Sequence, residues 1–89
     1  IRICLIEDSP IAMMAAENIL NKLDHPCHIQ KAVDVAEAKK VLKDSTFDVV
    51  LCDLGLPDGT GFDIITSVKA DRDHLNFATP FVALTAHSD

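Results

Sequence analysis

Alternation of short apolar runs with helix-like segments constrains the fold of this chain more than any other feature. Four runs have the length and composition of strands, at residues 1–6, 27–33, 47–52 and 81–84. Three segments with helical spacing separate them, the first from Pro10 to Leu23, the second after Asp34 and the third from Gly61 to Ala70. The resulting order, βαβαβαβ, predicts an α/β domain in which a doubly wound parallel sheet carries helices on both faces.

The helices are predicted from their start signals and their apolar faces. Pro10 opens the first helix, and Asp34 is placed to cap the second, with Glu37 three residues later. The predicted buried positions are Ala12, Ala16, Ile19, Leu20 and Leu23 in the first helix, Ala38, Val41 and Leu42 in the second, and Phe62, Ile65 and Val68 in the third.

The last apolar run, Phe81 to Leu84, is continuous, as in strands that are covered on both faces. Nothing in it protects an exposed edge, so the sheet is expected to be unfinished at this strand. The sequence leaves three explanations open: the chain is cut short, the remainder is disordered, or another chain completes the sheet by strand exchange or edge pairing.

Composition limits the classes of function. The 89 residues allow one small domain, and 8 Lys plus Arg against 14 Asp plus Glu give a net charge of −6, which argues against direct binding of nucleic acid. No apolar run approaches the roughly 20 residues that span a bilayer, so we expect a cytoplasmic chain without membrane contact. Cys4, Cys27 and Cys52 form no Cys-x-x-Cys pair and are expected to be buried, reduced thiols.

Acidic and hydroxyl side chains follow the predicted strands where those strands end. Glu7 and Asp8 follow the first strand, Asp53 the third and Thr85 the fourth. Ligands of doubly wound sheets bind at the carboxyl ends of the strands, and adjacent strands lie about 4.8 Å apart. If the first and third strands are neighbours, their carboxylates reach one cation, and oxygen ligands favour Mg²⁺. A carboxylate beside such a metal can accept a phosphoryl group.

The pair Glu7-Asp8, the segment VVLCDLGLPDGTGFD around Asp53, and PFVALTAHSD around Thr85 resemble the receiver domains of two-component response regulators, in order and in spacing. The resemblance covers the whole chain, residues 1–89, as one receiver domain that is incomplete at its C-terminus. It implies a flavodoxin-like fold with strand order 2-1-3-4, in which the fifth strand and the last helices are missing.

The resemblance also implies roles for individual residues. Asp53 is the phosphoacceptor, Asp8 binds Mg²⁺ directly, and Glu7 acts through a metal-bound water. The carbonyl of Gly55 is a further metal ligand. Thr85 is the switch hydroxyl, and Ala86 contacts the phosphoryl group. The family's lysine at the end of the fifth strand has no counterpart before Asp89.

Further hypotheses concern the residues around this site. Gly55 and His87 are predicted to set the lifetime of the acyl phosphate, because Gly55 leaves a gap that His87 can line. Ile11 and Met14 are predicted to be exposed and to dock a partner helix. That partner is a histidine kinase or a histidine phosphotransfer domain, and the string ALTAHS resembles receivers that belong to hybrid sensor kinases.

Two other functions are compatible with parts of the pattern. A phosphatase of the haloacid dehalogenase type also uses a strand-terminal aspartate, but it needs an acid where this chain has Gly55. A pseudo-receiver would share the fold and act without phosphorylation. Asp58 and Gly59 are interpreted as turn residues, and Asp63 as a solvated or first-turn acid of the third helix.

Overall fold

The computed structural model of the protein describes residues 1–84, which form a parallel sheet flanked by helices. Three helices and a short antiparallel hairpin accompany the four parallel strands in this part of the chain. The parallel strands are β1 (Arg2–Ile6), β2 (His28–Ala32), β3 (Val49–Asp53) and β6 (Phe81–Leu84). The helices are α1 (Pro10–Leu20), α2 (Val35–Asp44) and α3 (Gly61–Lys69), and the hairpin consists of β4 (Gly55–Leu56) and β5 (Gly59–Thr60).

The order of the parallel strands is β2-β1-β3-β6, which confirms the predicted order 2-1-3-4. Ile6 pairs with Ala32 on one side and with Cys52 on the other, so the carboxyl ends of β1, β2 and β3 lie level. The path moves from β1 outward to β2 and then back past β1 to β3. Right-handed crossovers therefore put α1 on one face of the sheet and α2 and α3 on the other.

The face under α2 and α3 holds the main hydrophobic core. Its members are buried apolar side chains from the sheet, from both helices and from β4: Cys4, Ile6, Ala32, Val35, Ala38, Leu42, Phe47, Val50, Cys52, Leu56, Ile64 and Val68. The cap predicted for α2 is confirmed, because Asp34 accepts a hydrogen bond from the Glu37 N–H at 2.7 Å. The buried positions predicted in α2 are confirmed as well, with Val41 partly buried.

The predicted apolar face of α1 is wrong in its burial and in its end point. Met13 is the one buried residue of α1, whereas Ile19 is 65% exposed. Ala12, Ala16 and Ile19 do share a face, which lines an open groove with Ala83 and Leu84 of β6. The helix ends at Leu20 because Lys22 and Leu23 donate to carbonyls three residues back, which tightens the chain into turns.

Two further predictions about burial need correction. In α3 the buried residues are Gly61, Ile64 and Val68, and Phe62 is 61% exposed, because the helix is rotated so that Ile64, and not Ile65, meets the core. β6 was predicted to be covered on both faces, yet Val82 is 47% exposed. Within residues 1–84, β6 pairs only with β3, so it is an edge strand.

A buried amide fixes the connection between α3 and β6. The side chain of Asn76 is fully buried; its Oδ1 accepts a hydrogen bond from Phe47 N at 2.9 Å. Its Nδ2 donates to the carbonyls of Leu42 and Ser45, both at 2.7 Å. Thr79 donates to Asn76 Oδ1 and closes the cluster. The cluster ties the end of α2 to the start of β3, and so fixes the strand that ends on Asp53.

No helix within residues 1–84 is long and apolar enough to cross a membrane.

Candidate functional site

Three carboxylates meet at the carboxyl edge of the sheet. Glu7, Asp8 and Asp53 each offer an oxygen, and these oxygens all lie within 4.8 Å of one another. Glu7 is buried, Asp8 is exposed and Asp53 is half-buried. The predicted convergence of the acids of the first and third strands is therefore present in the structure.

The backbone at the end of β1 positions Glu7 and Asp8. Glu7 N–H donates to the Ala32 carbonyl at 3.0 Å, so the ladder with β2 continues one residue beyond β1. The carboxylate of Glu7 accepts a hydrogen bond from Ser9 N–H at 3.1 Å. Ser9 in turn caps α1, because its hydroxyl accepts from Ala12 N–H at 3.3 Å. The turn into α1 thus holds both acids at the sheet edge.

A tight approach between the end of β3 and the start of α3 positions Asp53. The Oδ1 atom of Asp53 accepts a hydrogen bond from Gly55 N–H at 3.3 Å, and Gly61 N–H donates to the Leu54 carbonyl at 3.0 Å. A Cβ atom at Gly61 would lie 2.9 Å from the Cys52 sulfur. Only a glycine at this position lets α3 begin so close to β3.

The electrostatics of the cluster favour a cation. Burial raises the pKa of Glu7 above its ordinary value of 4.5, and the neighbouring Asp53 and Asp8 carboxylates raise it further. The hydrogen bond from Ser9 N–H acts in the opposite direction and lowers this pKa. The one salt bridge of residues 1–84 joins Lys31 to Glu17, so no lysine or arginine of that range pairs with the three acids. Three clustered oxygen ligands without a counter-charge fit a hard divalent cation such as Mg²⁺.

A groove runs from this cluster along α1 towards β2. It encloses about 360 Å³ and is lined by Glu7, Asp8, Pro10, Met13, Met14, Glu17, Lys31 and Val33. Met14 is 62% exposed and Ile11 is 81% exposed, as predicted for both residues. One apolar side chain on the rim of the groove, Met14, therefore lies beside the acidic cluster and is free to contact another molecule.

The remaining predicted site residues lie in two places. Gly55 is exposed on the loop that follows Asp53. Among residues 1–84, apart from its two chain neighbours, no residue has an atom within 4 Å of where a Cβ would be. Thr85, Ala86 and His87 lie outside the described residues. Thr85 directly follows Leu84, which pairs with Asp53 across the sheet.

The thiols nearest the cluster are unreactive. Cys4 and Cys52 are buried and free. Burial raises the pKa of Cys52 to about 11, with smaller contributions from Asp53 and Glu7. Burial and the neighbouring Cys52 raise the pKa of Cys4 to about 12. Neither thiol forms appreciable thiolate at neutral pH. The predicted burial is confirmed for Cys4 and Cys52 and is wrong for Cys27, which is free and partly exposed.

Asp58, in the loop that follows Asp53, makes a contact that its local sequence does not predict. Asp58, interpreted as a turn residue, accepts hydrogen bonds from Val35 N–H at 2.8 Å and from Ala36 N–H at 3.1 Å. The hairpin tip is therefore joined to the start of α2, more than 20 residues away in sequence. No local pattern in LGLPDGTG points to this contact, because the composition of a turn does not show which surface the turn lies against.

Comparison with protein families matches residues 3–89 of the chain to the response regulator receiver domain. Among curated relatives, the chain is 34% identical to the aerobic respiration control sensor protein ArcB of Escherichia coli K12, over 98% of this chain and 11% of ArcB. It is 30% identical to the sensory transduction protein LytR of Staphylococcus saprophyticus, over 97% of this chain and 32% of LytR. The chain thus spans about a third or less of these relatives.

Solved structures share the fold. The receiver domain of sensor histidine kinase PA1611 from Pseudomonas aeruginosa PAO1, solved with a magnesium ion in its active site cleft, is 27% identical and superposes with a TM-score of 0.82. The superposition covers 96% of this chain and 66% of that structure. The match over nearly the whole chain, together with this fold, shows that the chain belongs to the response regulator receiver domains of two-component signalling proteins.

Proposed function

We propose that this domain receives a phosphoryl group on Asp53 from a phosphohistidine and uses Mg²⁺ to do so. The observation that carries the proposal is the meeting of Glu7, Asp8 and Asp53 within 4.8 Å at one sheet edge. An acidic cluster of this kind is disfavoured by mutual repulsion in a protein that has no cation to bind there. The magnesium ion in the cleft of the related PA1611 receiver supports the same assignment.

The residues assigned to the metal differ in exposure. Their exposure decides whether we assign each one a direct contact with Mg²⁺ or a contact through water. Asp8 is exposed and Asp53 half-buried, so both can offer an oxygen directly, together with the carbonyl of Gly55. Glu7 is 4% exposed and already accepts the Ser9 N–H, which suits contact through a water molecule. When bound, Mg²⁺ supplies positive charge that offsets the charge developing on the transferring phosphoryl oxygens.

The chemistry assigned to the chain is one displacement at phosphorus. An oxygen of the Asp53 carboxylate attacks the phosphorus, an O–P bond forms, and the P–N bond to the donor histidine breaks. The histidine nitrogen keeps the electron pair of that bond and takes a proton, so the products are an acyl phosphate on Asp53 and a neutral imidazole. Thr85 then offers its hydroxyl to a phosphoryl oxygen, and Ala86 contacts the group without obstructing it.

The domain itself catalyses this transfer and, more slowly, the hydrolysis that reverses its effect. Water reaches the phosphorus of the acyl phosphate, the P–O bond to Asp53 breaks, and the carboxylate and inorganic phosphate are released. The space beside Gly55 is open, so we assign Gly55 and His87 to the control of this water. His87 lies outside the described residues and enters only through the sequence analysis.

The proposed partner is a histidine kinase or a histidine phosphotransfer domain that docks on α1. Ile11 and Met14 are exposed apolar residues of the first turns of α1, and Met14 lines the groove that also contains Glu7 and Asp8. The similarity to the sensor protein ArcB supports a hybrid sensor kinase as the parent protein. Because a phosphohistidine is made from ATP, the proposal assigns the domain to the cytoplasm. A dimer that pairs through the edge of β6 remains a prediction.

The experiment that tests the proposal is phosphorylation of the full-length protein by acetyl phosphate with Mg²⁺, followed by intact-mass measurement. We expect one phosphoryl group on the parent protein and none on Asp53→Asn. Addition of beryllofluoride and Mg²⁺ should also change the amide spectrum of the parent and leave that of Asp53→Asn unchanged.

The outcomes separate the alternatives. A parent protein that takes no phosphoryl group and shows no spectral change with beryllofluoride would be a pseudo-receiver. Turnover of aryl phosphates would favour the phosphatase, although Gly55 gives that reaction no general acid.

A further inference from the structure

The carboxylate of Asp58 binds the first turn of α2 with both of its oxygens. Oδ1 accepts from Val35 N–H at 2.8 Å and Oδ2 accepts from Ala36 N–H at 3.1 Å. The hydrogen bonds from Val35 and Ala36 lower the pKa of Asp58, which is the direction expected for a carboxylate held by backbone donors. A hairpin residue therefore supplies part of the cap of a helix that is remote in sequence.

The cap of α2 is shared between two aspartates with separate targets. Asp34 accepts the hydrogen bond from Glu37 N–H, the third amide of the helix, at 2.7 Å. The first two amides of the helix, those of Val35 and Ala36, donate their hydrogen bonds to the carboxylate of Asp58. Helix N-termini leave such amides without partners inside the helix, and they favour negative charge. Asp34 caps the helix from its own chain segment, whereas Asp58 links the helix to the hairpin.

Besides Asp58, the hairpin is anchored by the side chain of Leu56, which is buried in the core. Its base is fixed, because Gly61 N–H donates to the Leu54 carbonyl and Thr60 forms a capping box with Asp63. Gly55 is exposed, and it is held by the hydrogen bond from its N–H to Asp53 Oδ1 at 3.3 Å and by its pairing with Thr60. The hairpin is only two residue pairs long, Gly55 with Thr60 and Leu56 with Gly59. Asp58 is therefore separated from Gly55 only by Leu56 and Pro57, within a hairpin that is short enough for a change at the tip to reach Gly55.

We propose that Asp58 is a positioning residue for the metal site, which holds the hairpin on α2 and thereby fixes the carbonyl of Gly55 for Mg²⁺. The proposal rests on the proposed function, because it takes Gly55 as a metal ligand. Asp58 does not touch the metal in this scheme. It acts through the hairpin, in which Gly55 pairs with Thr60 and Leu56 pairs with Gly59. Loss of the Asp58 carboxylate therefore loosens the loop, and the looser loop binds Mg²⁺ more weakly.

The test is calorimetric titration of Mg²⁺ into the full-length protein and two variants. Asp58→Ala removes the tip contact, and we expect about tenfold weaker binding of Mg²⁺, the size of effect seen for groups that orient metal ligands. The matched control is Asp34→Ala, which removes a carboxylate from the same helix end without releasing the hairpin. It should lower the melting temperature comparably and leave the affinity for Mg²⁺ within about twofold of the parent.

Hydrogen exchange without metal gives a second readout. Asp58→Ala should speed exchange of the Gly55 amide, whereas Asp34→Ala should affect only residues at the start of α2. Asp58→Asn, which keeps one acceptor oxygen, should fall between the parent and Asp58→Ala in both measurements.

Two results would overturn the proposal: unchanged Mg²⁺ affinity in Asp58→Ala, or an equal loss in Asp34→Ala. A parent protein that binds no Mg²⁺ would overturn the proposed function together with this role for Asp58. Faster exchange at Gly55 in Asp58→Ala would show even then that the residue holds the loop.

Discussion

Gly61 lies so close to Asp53 that a Cβ atom added to Gly61 would be 2.7 Å from the carbonyl oxygen of Asp53. Real side chains do not approach a backbone oxygen this closely, and neither partner can move without disturbing the other. The close packing of the start of α3 against the end of β3 therefore requires a glycine at position 61, next to a residue of the acidic cluster.

Replacement of Gly61 by alanine should damage both stability and the site. The clash forces α3 away from β3, and we expect a loss of about 2 kcal/mol in the free energy of unfolding, the usual cost of overpacking. Phosphorylation by acetyl phosphate should slow as well, because Asp53 shifts. Chemical denaturation and intact-mass kinetics measure the two effects. Gly55→Ala is the control: its Cβ would enter open space, so stability should stay within about 1 kcal/mol of the parent.

The charge on Glu7 should destabilise the metal-free protein. Its pKa is raised in the folded state by burial first and by Asp53 and Asp8 next. A raised folded-state pKa means that the native protein binds this proton more tightly than the unfolded chain does. The contribution of Glu7 to the free energy of unfolding therefore falls as pH rises through its folded-state pKa, and it is restored on acidification.

Glu7→Gln should consequently melt a few degrees above the parent at neutral pH in the presence of a chelator. The difference should shrink as pH falls towards the ordinary carboxyl value of 4.5 and reverse when Mg²⁺ is added. Thermal melts over this pH range, with and without Mg²⁺, provide the measurement. Asp24→Asn, at an exposed acid beyond α1, controls for net charge and should show no such pattern. A variant that melts below the parent at neutral pH without metal would contradict the prediction.

The sequence was sufficient to predict the sheet and the acids at its edge. Apolar runs and turn residues are local signals, and they indicate a parallel sheet with right-handed crossovers. The strand order 2-1-3-4 came from the resemblance to receiver domains, because right-handed crossovers are compatible with more than one strand order. Glu7, Asp8 and Asp53 could be placed together because the ends of parallel strands share one edge of the sheet. Helix starts at Asp34 and Pro10 also followed from local capping rules.

The sequence was insufficient wherever the partner of a residue lies far along the chain. Asn76 holds the carbonyls of Leu42 and Ser45, and Asp58 caps α2, yet each residue is in a segment that looks like an ordinary loop. Burial in α1 and β6 was also overestimated, because apolar spacing shows which residues share a face but not what covers that face. Ile19 is the example, since it points along the groove beside β6 and stays exposed.

A charge on the exposed face of α1 should weaken docking of the protein that donates the phosphoryl group, without changing the reactivity of Asp53. Ile11→Glu and Met14→Glu alter side chains that are 81% and 62% exposed, so the fold should tolerate both changes. We expect phosphotransfer from a histidine kinase or phosphotransfer domain to slow about tenfold, because an apolar contact is replaced by a buried charge. Phosphorylation by acetyl phosphate, which needs no docking, should be unchanged.

The control for this prediction is Leu75→Glu, which places the same charge on a residue that is 54% exposed in the connection between α3 and β6. It should leave both reactions at the parent rate. Equal slowing with both donors in the α1 variants would mean that the site itself is damaged. Parent rates with the protein donor would mean that the partner docks elsewhere.

The lifetime of the acyl phosphate should depend on the space beside Gly55. Apart from Leu54 and Leu56 beside it in the chain, no described residue has an atom within 4 Å of the position that a Cβ would take there, so we expect water to reach the phosphoryl group from this side. Gly55→Leu should fill that space and slow phosphate loss about threefold, a barrier change of less than 1 kcal/mol. His87→Ala should speed it, because His87 is predicted to line the gap. Both rates can be followed as the decay of the phosphorylated mass in the full-length protein, with Mg²⁺ present and the donor removed. Identical decay in the parent and in both variants would show that neither position controls the hydrolytic water.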